Sequence, residues 1–212
     1  MSDPIGLPAP SVIPETLSLD ALRAGDRAEF SRLVEVYSGK LYRLALKMLN
    51  HPQDAEDILQ ETFLKAFRHI KNFDGRASIS TWLYRIVTNE ALMLLRRKNP
   101  ETISIDEPDE SADTQNQEPL QIVDWSFIPE TELLNGEARN YLDQAISRLP
   151  ASLRAAFLLR DIENLSTQEA SDVLGLTETA LKTRLSRARL HLREDLSAYY
   201  AERMDRKTYG AF

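Results

Sequence analysis

The densest set of side chains able to act on another molecule lies between Leu165 and Arg189. There Lys182, Thr183, Arg184, Ser186, Arg187 and Arg189 surround an apolar side made of Ala180, Leu181, Leu185 and Ala188. Guanidinium and ammonium groups presented from one helix bond guanine O6 and N7 or phosphate oxygens, and a threonine hydroxyl serves either purpose. This is the chemistry of recognition rather than of bond making. The sequence carries no nucleophile–base pair, no phosphate-cradling glycine loop and no metal-ligand cluster. Its carboxylates are many but sit in helix starts and in one acidic stretch, without a pair placed for acid–base work. Neither an enzyme nor a cofactor is expected.

The elements that hold those cations are written just ahead of them. Ser166-Thr167-Gln168-Glu169 is a capping box, in which Ser166 accepts from the N3 amide and Glu169 reaches back to the cap. Ala170, Val173 and Leu174 give a short apolar face, and Gly175 falls where a helix must stop and turn. Leu176 packs inward and Thr177 caps the next helix. A short helix, a glycine turn and a basic second helix match a helix-turn-helix whose second helix enters the major groove.

The rest of the chain reads as helical in period. Phe30, Leu33, Val34, Tyr37, Leu41, Leu44 and Ala45 mark one face of a helix that Asn50-His51-Pro52 interrupts. Asp54-Ala55-Glu56-Asp57 opens a second helix, with Ile58, Leu59, Phe63, Ala66 and Phe67 as its apolar residues. After a break at Asn72-Phe73-Asp74-Gly75, a third starts at Ser78 or Ser80 and ends on Arg96-Arg97-Lys98, cations that suit a helix C-terminus. Between Pro100 and Glu137 there is neither Lys nor Arg, and the composition is that of a linker carrying one apolar island, Trp125, Phe127 and Ile128. Helical period then resumes, with Tyr141, Leu142, Ala145, Ile146 and Leu149 on one face before Pro150, and Leu153 to Leu159 beyond it. The fold class expected is all-α, two small helical domains joined by a flexible acidic linker. The divisions are a disordered leader over 1–17, a first domain over 18–99, the linker over 100–132, a second domain over 133–200 and a tail over 201–212.

Composition sets outer bounds. The 212 residues carry a formal charge of −7, which argues against a protein that coats nucleic acid nonspecifically but allows a local basic face. With no cysteine and three scattered histidines, a disulfide framework and a zinc site are excluded. The leader lacks the basic and apolar segments of a signal peptide, and no apolar run approaches the ~20 residues that span a bilayer. A cytoplasmic protein is expected.

Several of these stretches resemble a known family. Asp54-Ala55-Glu56-Asp57-Ile58-Leu59-Gln60-Glu61-Thr62-Phe63 resembles the second conserved region of sigma-70 factors. Phe73-Asp74-Gly75, Ser80-Thr81-Trp82-Leu83-Tyr84-Arg85-Ile86, Asn89 and Leu94-Leu95-Arg96-Arg97 resemble the segment adjoining it. Leu149-Pro150, Phe157-Leu158-Leu159-Arg160 and the helix-turn-helix resemble the fourth region. Order, spacing and size are similar to those of the compact extracytoplasmic-function subgroup. Met93, where the family more often has a polar residue, and Thr179-Ala180-Leu181, where it often has Gly-Thr-Val, depart from the pattern.

The resemblance implies an alternative sigma factor that binds core RNA polymerase, brings it to promoters and helps melt them. It implies that Asp54, Glu56, Asp57, Gln60, Glu61 and Phe63 meet the polymerase clamp helices. Phe73, Tyr84, Arg85, Ile86, Asn89, Arg96 and Arg97, with Lys98 beside them, would hold the minus-ten element, partly as a melted single strand. Ser166, Thr177, Lys182, Thr183, Arg184, Arg187 and Arg189 would meet the minus-thirty-five element in duplex DNA, and the helix over 153–160 would seat this domain on the polymerase flap. The linker would thread into basic channels of the polymerase. An anti-sigma factor, often membrane-held, is implied as a further partner, with a monomer when free and no membrane insertion of the chain itself. Two other readings remain: a stand-alone helix-turn-helix regulator of duplex DNA, and an interaction-only protein that occupies a partner's groove. The first leaves Phe73, Trp82, Tyr84 and the basic helix end without a task, and the basic recognition helix argues against the second.

Overall fold

The computed structural model describes residues 17–98 and 136–209. The expected leader up to residue 16, the acidic linker with Trp125, Phe127 and Ile128, and residues 210–212 lie outside the described residues. Every regular element among the described residues is helical.

In the N-terminal unit, each helix begins and ends where a side chain or a left-handed residue satisfies its free backbone groups. Helix α1, Leu19–Ala24, is capped by Ser18, whose hydroxyl accepts from the Ala21 amide, and is closed by Gly25 at φ 83°. Helix α2, Arg27–Leu49, starts on Asp26, which accepts from Ala28 and Glu29, and stops at Asn50 in the left-handed region. Helix α3, Pro52–His69, has His51 as its cap and Pro52 in its first turn, so it opens earlier than the acidic run Asp54–Asp57 suggests. A 3-10 turn, Ile70–Asn72, leads through Phe73 and Gly75 to helix α4, Ile79–Lys98. Ser78 rather than Ser80 caps α4, accepting from the Thr81 amide at 3.1 Å. Leu33, Leu41, Leu44, Met48 and Leu83, all but fully buried, fill the space among α2, α3 and α4.

The C-terminal unit begins with helix α5, Gly136–Arg148. Helix α6, Ala151–Phe157, follows Pro150 and widens into a π turn over Leu158–Ile162. Asn164 then takes a left-handed conformation, φ 57°, and releases the chain toward helix α7, Thr167–Leu174. Both halves of the Ser166–Glu169 capping box form, and Gly175 closes α7 at φ 65°. The Thr177 hydroxyl accepts from Ala180 and opens helix α8, Glu178–Tyr209, which continues past the expected domain end at residue 200. Ile146, Leu158, Leu159, Leu181 and Leu192 form the centre of this unit.

The two units do not stand apart. Their apolar residues form one continuous cluster, and α4 packs against α7 while α2 packs against α5 and α6. Arg154 donates to the carbonyl of Met48 at 2.5 Å, and to those of Ser147 and Leu149. It therefore serves the carbonyl-rich ends of α2 and α5 together, where a cation complements both helix dipoles. Lys47 pairs with Asp143 at 2.7 Å.

Candidate nucleic-acid interface

On α4, Trp82, Arg85, Asn89, Met93 and Arg96 recur at three- and four-residue steps and so share one face. Arg85, Asn89, Arg96 and Arg97 are exposed and Ile86 is half-buried. Met93, the departure from the family pattern, is 42% exposed on this stripe. At its N-terminal end Phe73 lies against Trp82, with ring centroids 5.2 Å apart. Arg23 fixes that loop by donating to the Phe73 carbonyl from Nε at 2.9 Å and from Nη2 at 2.7 Å. Aromatic rings beside cations and an amide suit a splayed base and its phosphates.

Tyr84 does not join this group. Two residues from Trp82, it projects to a different side of α4, where it is buried. Its hydroxyl donates to Glu163 Oε2 at 2.6 Å. Burial, and then the Glu163 carboxylate, push the phenol pKa up, so it stays a donor.

The helix-turn-helix forms as its caps and glycine demand, but its cations divide. Lys182 and Arg187 are exposed and Thr183 is half-buried, with its hydroxyl donating to the Thr179 carbonyl at 3.1 Å. Lys182 lies 3.6 Å from Glu178, one turn earlier. Arg184 is half-buried on the flank, and burial lowers its pKa. Arg189 turns away to make two bonds to Asp161, at 2.9 and 2.7 Å. The Ser166 and Thr177 hydroxyls are exposed but already serve as caps.

A third face lies on α3. Glu56, Asp57 and Gln60 are exposed, and Phe63 is half-buried. Asp54 is held by Lys98 at 2.5 Å, and Glu61 lies 3.8 Å from Lys65, which also bonds Glu90. Leu64 and Phe67, 51% and 46% exposed, lie beside the acids. The sequence pattern counts Phe67 among the apolar residues of α3 and leaves Leu64 out. Phe67 stays partly exposed and makes a T-shaped contact with Phe30, with centroids 5.0 Å apart. A run of exposed acids next to exposed Leu and Phe was the available signal.

Among the described residues, no group of His, Cys, Asp and Glu is arranged to hold a metal. No described helix is long and apolar enough to cross a membrane.

Comparison with known proteins matches each unit. Residues 33–101 match the family model described as Sigma-70 region 2, and residues 139–192 match Sigma-70, region 4. The chain is 36% identical over 179 residues to the ECF RNA polymerase sigma factor SigW of Bacillus subtilis, a match covering 82% of this chain and 92% of that protein. It is 32% identical to the ECF RNA polymerase sigma-E factor of Haemophilus influenzae, covering 81% of this chain and 89% of that one. Two solved structures share the fold at 24% identity. CnrH in complex with the cytosolic domain of CnrY has a TM-score of 0.59, covering 85% of this chain and 95% of that one. The sigma factor RpoE with the anti-sigma factor NepR, from Bartonella quintana, has a TM-score of 0.58, covering 80% and 97%.

Proposed function

The chain belongs to the extracytoplasmic-function sigma factors of the sigma-70 family, and from that premise we propose how its faces divide the work of directing RNA polymerase to promoters. The α3 face docks on core polymerase: Glu56, Asp57, Gln60 and Glu61 meet basic partner residues while Phe63, Leu64 and Phe67 bury apolar area. Asp54 contributes by holding Lys98 and the end of α4.

Phe73 and Trp82 receive an unpaired base of the minus-ten element, and Asn89 reads an edge. Arg85, Arg96 and Arg97 hold the strand through its phosphates, with Ile86 as an apolar contact. Lys182, Thr183, Arg184 and Arg187 meet the minus-thirty-five duplex, and Ser166 and Thr177 approach its phosphates from the helix starts. Arg189 acts by fixing α8 to Asp161. The helix over 153–160 seats this domain, taken as 133–200, on the polymerase flap. The first domain, taken as 18–99, is joined to it by the acidic linker, which occupies basic channels. RNA synthesis itself belongs to the polymerase. An anti-sigma protein is a further partner, as in the solved complex of RpoE with NepR.

The observation that carries this reading is the coexistence in one chain of an acidic–apolar helix face, an aromatic–basic helix stripe and a helix-turn-helix. A stand-alone regulator uses only the last. Binding of the purified chain to bacterial core polymerase, followed by run-off transcription from a pooled promoter library, tests it. Tight binding with selective transcripts is expected. Absence of core binding, together with tight duplex binding by the chain alone, would return the protein to the stand-alone regulators.

A further inference from the structure

Helix α1 precedes the segment that matches Sigma-70 region 2, which starts at residue 33. Yet it packs on the 3-10 turn Ile70–Asn72 that leads into Phe73. The stem of Lys71 runs beside Gly25, which closes α1, and a Cβ there would lie 3.8 Å from Lys71 Cε. From the last turn of α1, Arg23 reaches the Phe73 carbonyl with two donors, Nε at 2.9 Å and Nη2 at 2.7 Å. A carbonyl oxygen has two lone pairs, so this one side chain fills both. The Phe73 amide donates to the Ile70 carbonyl at 3.1 Å. Both backbone polar groups of Phe73 are therefore committed, and the stronger, charge-assisted pair of bonds comes from α1.

We infer that Arg23 is a positioning residue for strand capture: its guanidinium holds the loop over 73–76 in the register at which Phe73 and Trp82 meet an unpaired base, and α1 thereby belongs to the promoter-melting apparatus. The inference rests on the proposed reading of Phe73 and Trp82 as the rings that receive that base.

Three physical points support it. The loop is exposed at Asp74, Gly75 and Arg76, and its other polar bonds are internal: Asp74 accepts from the Arg76 amide at 3.1 Å and from Arg76 Nε at 2.9 Å. Those bonds close the loop on itself, whereas Arg23 ties it to a helix. The loop also wraps the guanidinium. Gly75 sits at φ 78°, and a Cβ there would lie 3.3 Å from Arg23 Nη2. Finally, little competes for Arg23. Asp20 stands 3.8 Å away and is 97% exposed, a pairing that water and salt weaken. A planar fork delivers two donors to one oxygen, which the single ammonium of a lysine does not reproduce. Without the fork the Phe73 carbonyl turns to water and the ring follows it. A shift of about an ångström is enough to degrade a stacked contact with a base.

An abasic scan tests it. The full chain, assembled with bacterial core polymerase, is bound to a promoter recovered by run-off transcription. The minus-ten element of that promoter is held open by a non-complementary bubble, and single abasic sites are placed in turn along each strand. Arg23→Ala should weaken binding to the intact bubble by about tenfold, the order of one stacked base. Where the captured base is removed, that loss should shrink below about twofold, because the ring then has nothing to receive. Phe73→Leu should lose its effect at the same position. Arg23→Lys keeps the charge and the stem, so it guards against simple unfolding, and it should still lose about threefold. The slope of affinity against salt should stay the same in both Arg23 variants, since no phosphate contact is removed. Unchanged binding by either Arg23 variant overturns the inference. So does a loss that is equal at every abasic position, or a slope reduced by about one counterion, which would make Arg23 a direct phosphate ligand. If the effect of Phe73→Leu vanishes at one position and that of Arg23→Ala does not, only the role of Arg23 falls. If neither vanishes at any position, the strand-capture reading falls with it.

Discussion

The loop leading into α4 and the turn leading into α8 both deliver side chains to nucleic acid, yet they are held in different ways. Before α4, Phe73 is fixed from outside its own segment. Its carbonyl is held by Arg23, fifty positions earlier, and its ring leans on Trp82. Before α8, the restraints are local: Ser166 with Glu169, left-handed Gly175, and Thr177 with Ala180. A locally capped turn presents a rigid helix to a groove that already exists. A face held by distant contacts and built of rings suits a strand that must first leave its stack, where hydrophobic surface matters more than fixed donors.

The largest effect that sharpens this contrast concerns Phe73. Phe73→Ala removes a buried aromatic ring and should cost about 3–5 kcal/mol of stability, read by urea denaturation. Phe73→Leu keeps most of the packing but loses the stacking face. It should weaken single-strand binding in the polymerase complex by about 1–3 kcal/mol while leaving minus-thirty-five duplex binding alone. Equal losses for strand and duplex would erase the contrast.

Arg187→Ala comes next, with an expected loss of about 1–3 kcal/mol in duplex recognition if it reads a base. Competition among base-substituted duplexes measures this, and affinity for core polymerase should stay unchanged. If core binding fell in parallel, the proposed division of labour would be wrong. Ser166→Ala should cost ~1 kcal/mol of stability, because the cap of α7 is lost.

The pH dependence of that last variant is smaller and has a definite sign. Glu169 is held below the usual carboxylate range by the Ser166 amide and hydroxyl and by Thr81. A depressed folded pKa adds stability that is present above the unfolded value and lost as pH falls through the folded one. The gap between the unmutated chain and Ser166→Ala should therefore narrow on acidification below the ordinary glutamate range. Thermal melts across pH would show it. The smallest effect is that of Lys182→Ala, which should lower the salt dependence of duplex binding by about one counterion without changing base preference.

The same contrast explains what could be read ahead of the structure. The helix-turn-helix was legible because its determinants lie within a few residues of one another: cap, box partner, glycine and second cap are all local. Helix periods were legible for the same reason. The destinations of Tyr84, Arg189 and Phe67 were not. Tyr84 meets a partner 79 positions away and Arg189 one 28 positions away, and periodicity says nothing about which helix arrives on a given face. Phe67 fits the apolar pattern of α3, but its stripe is wider than the surface that α2 and α4 cover, so one edge stays in solvent. Arg154 was missed as well. A lone arginine in an apolar helix gives no hint that its guanidinium serves the ends of two helices.

That arginine, with the apolar cluster running past it from one unit to the other, has a consequence for how the molecule comes apart on heating. Met48 is sealed in the same cluster as Leu149 and Leu153, and its carbonyl is bonded by a side chain of the other unit. Loss of either unit strips the other of apolar cover, and loss of the N-terminal one also takes the Met48 acceptor from the half-buried Arg154 guanidinium. In calorimetry the chain should therefore melt as one cooperative transition, with van't Hoff and calorimetric enthalpies that agree, although its sequence is assembled from two family segments.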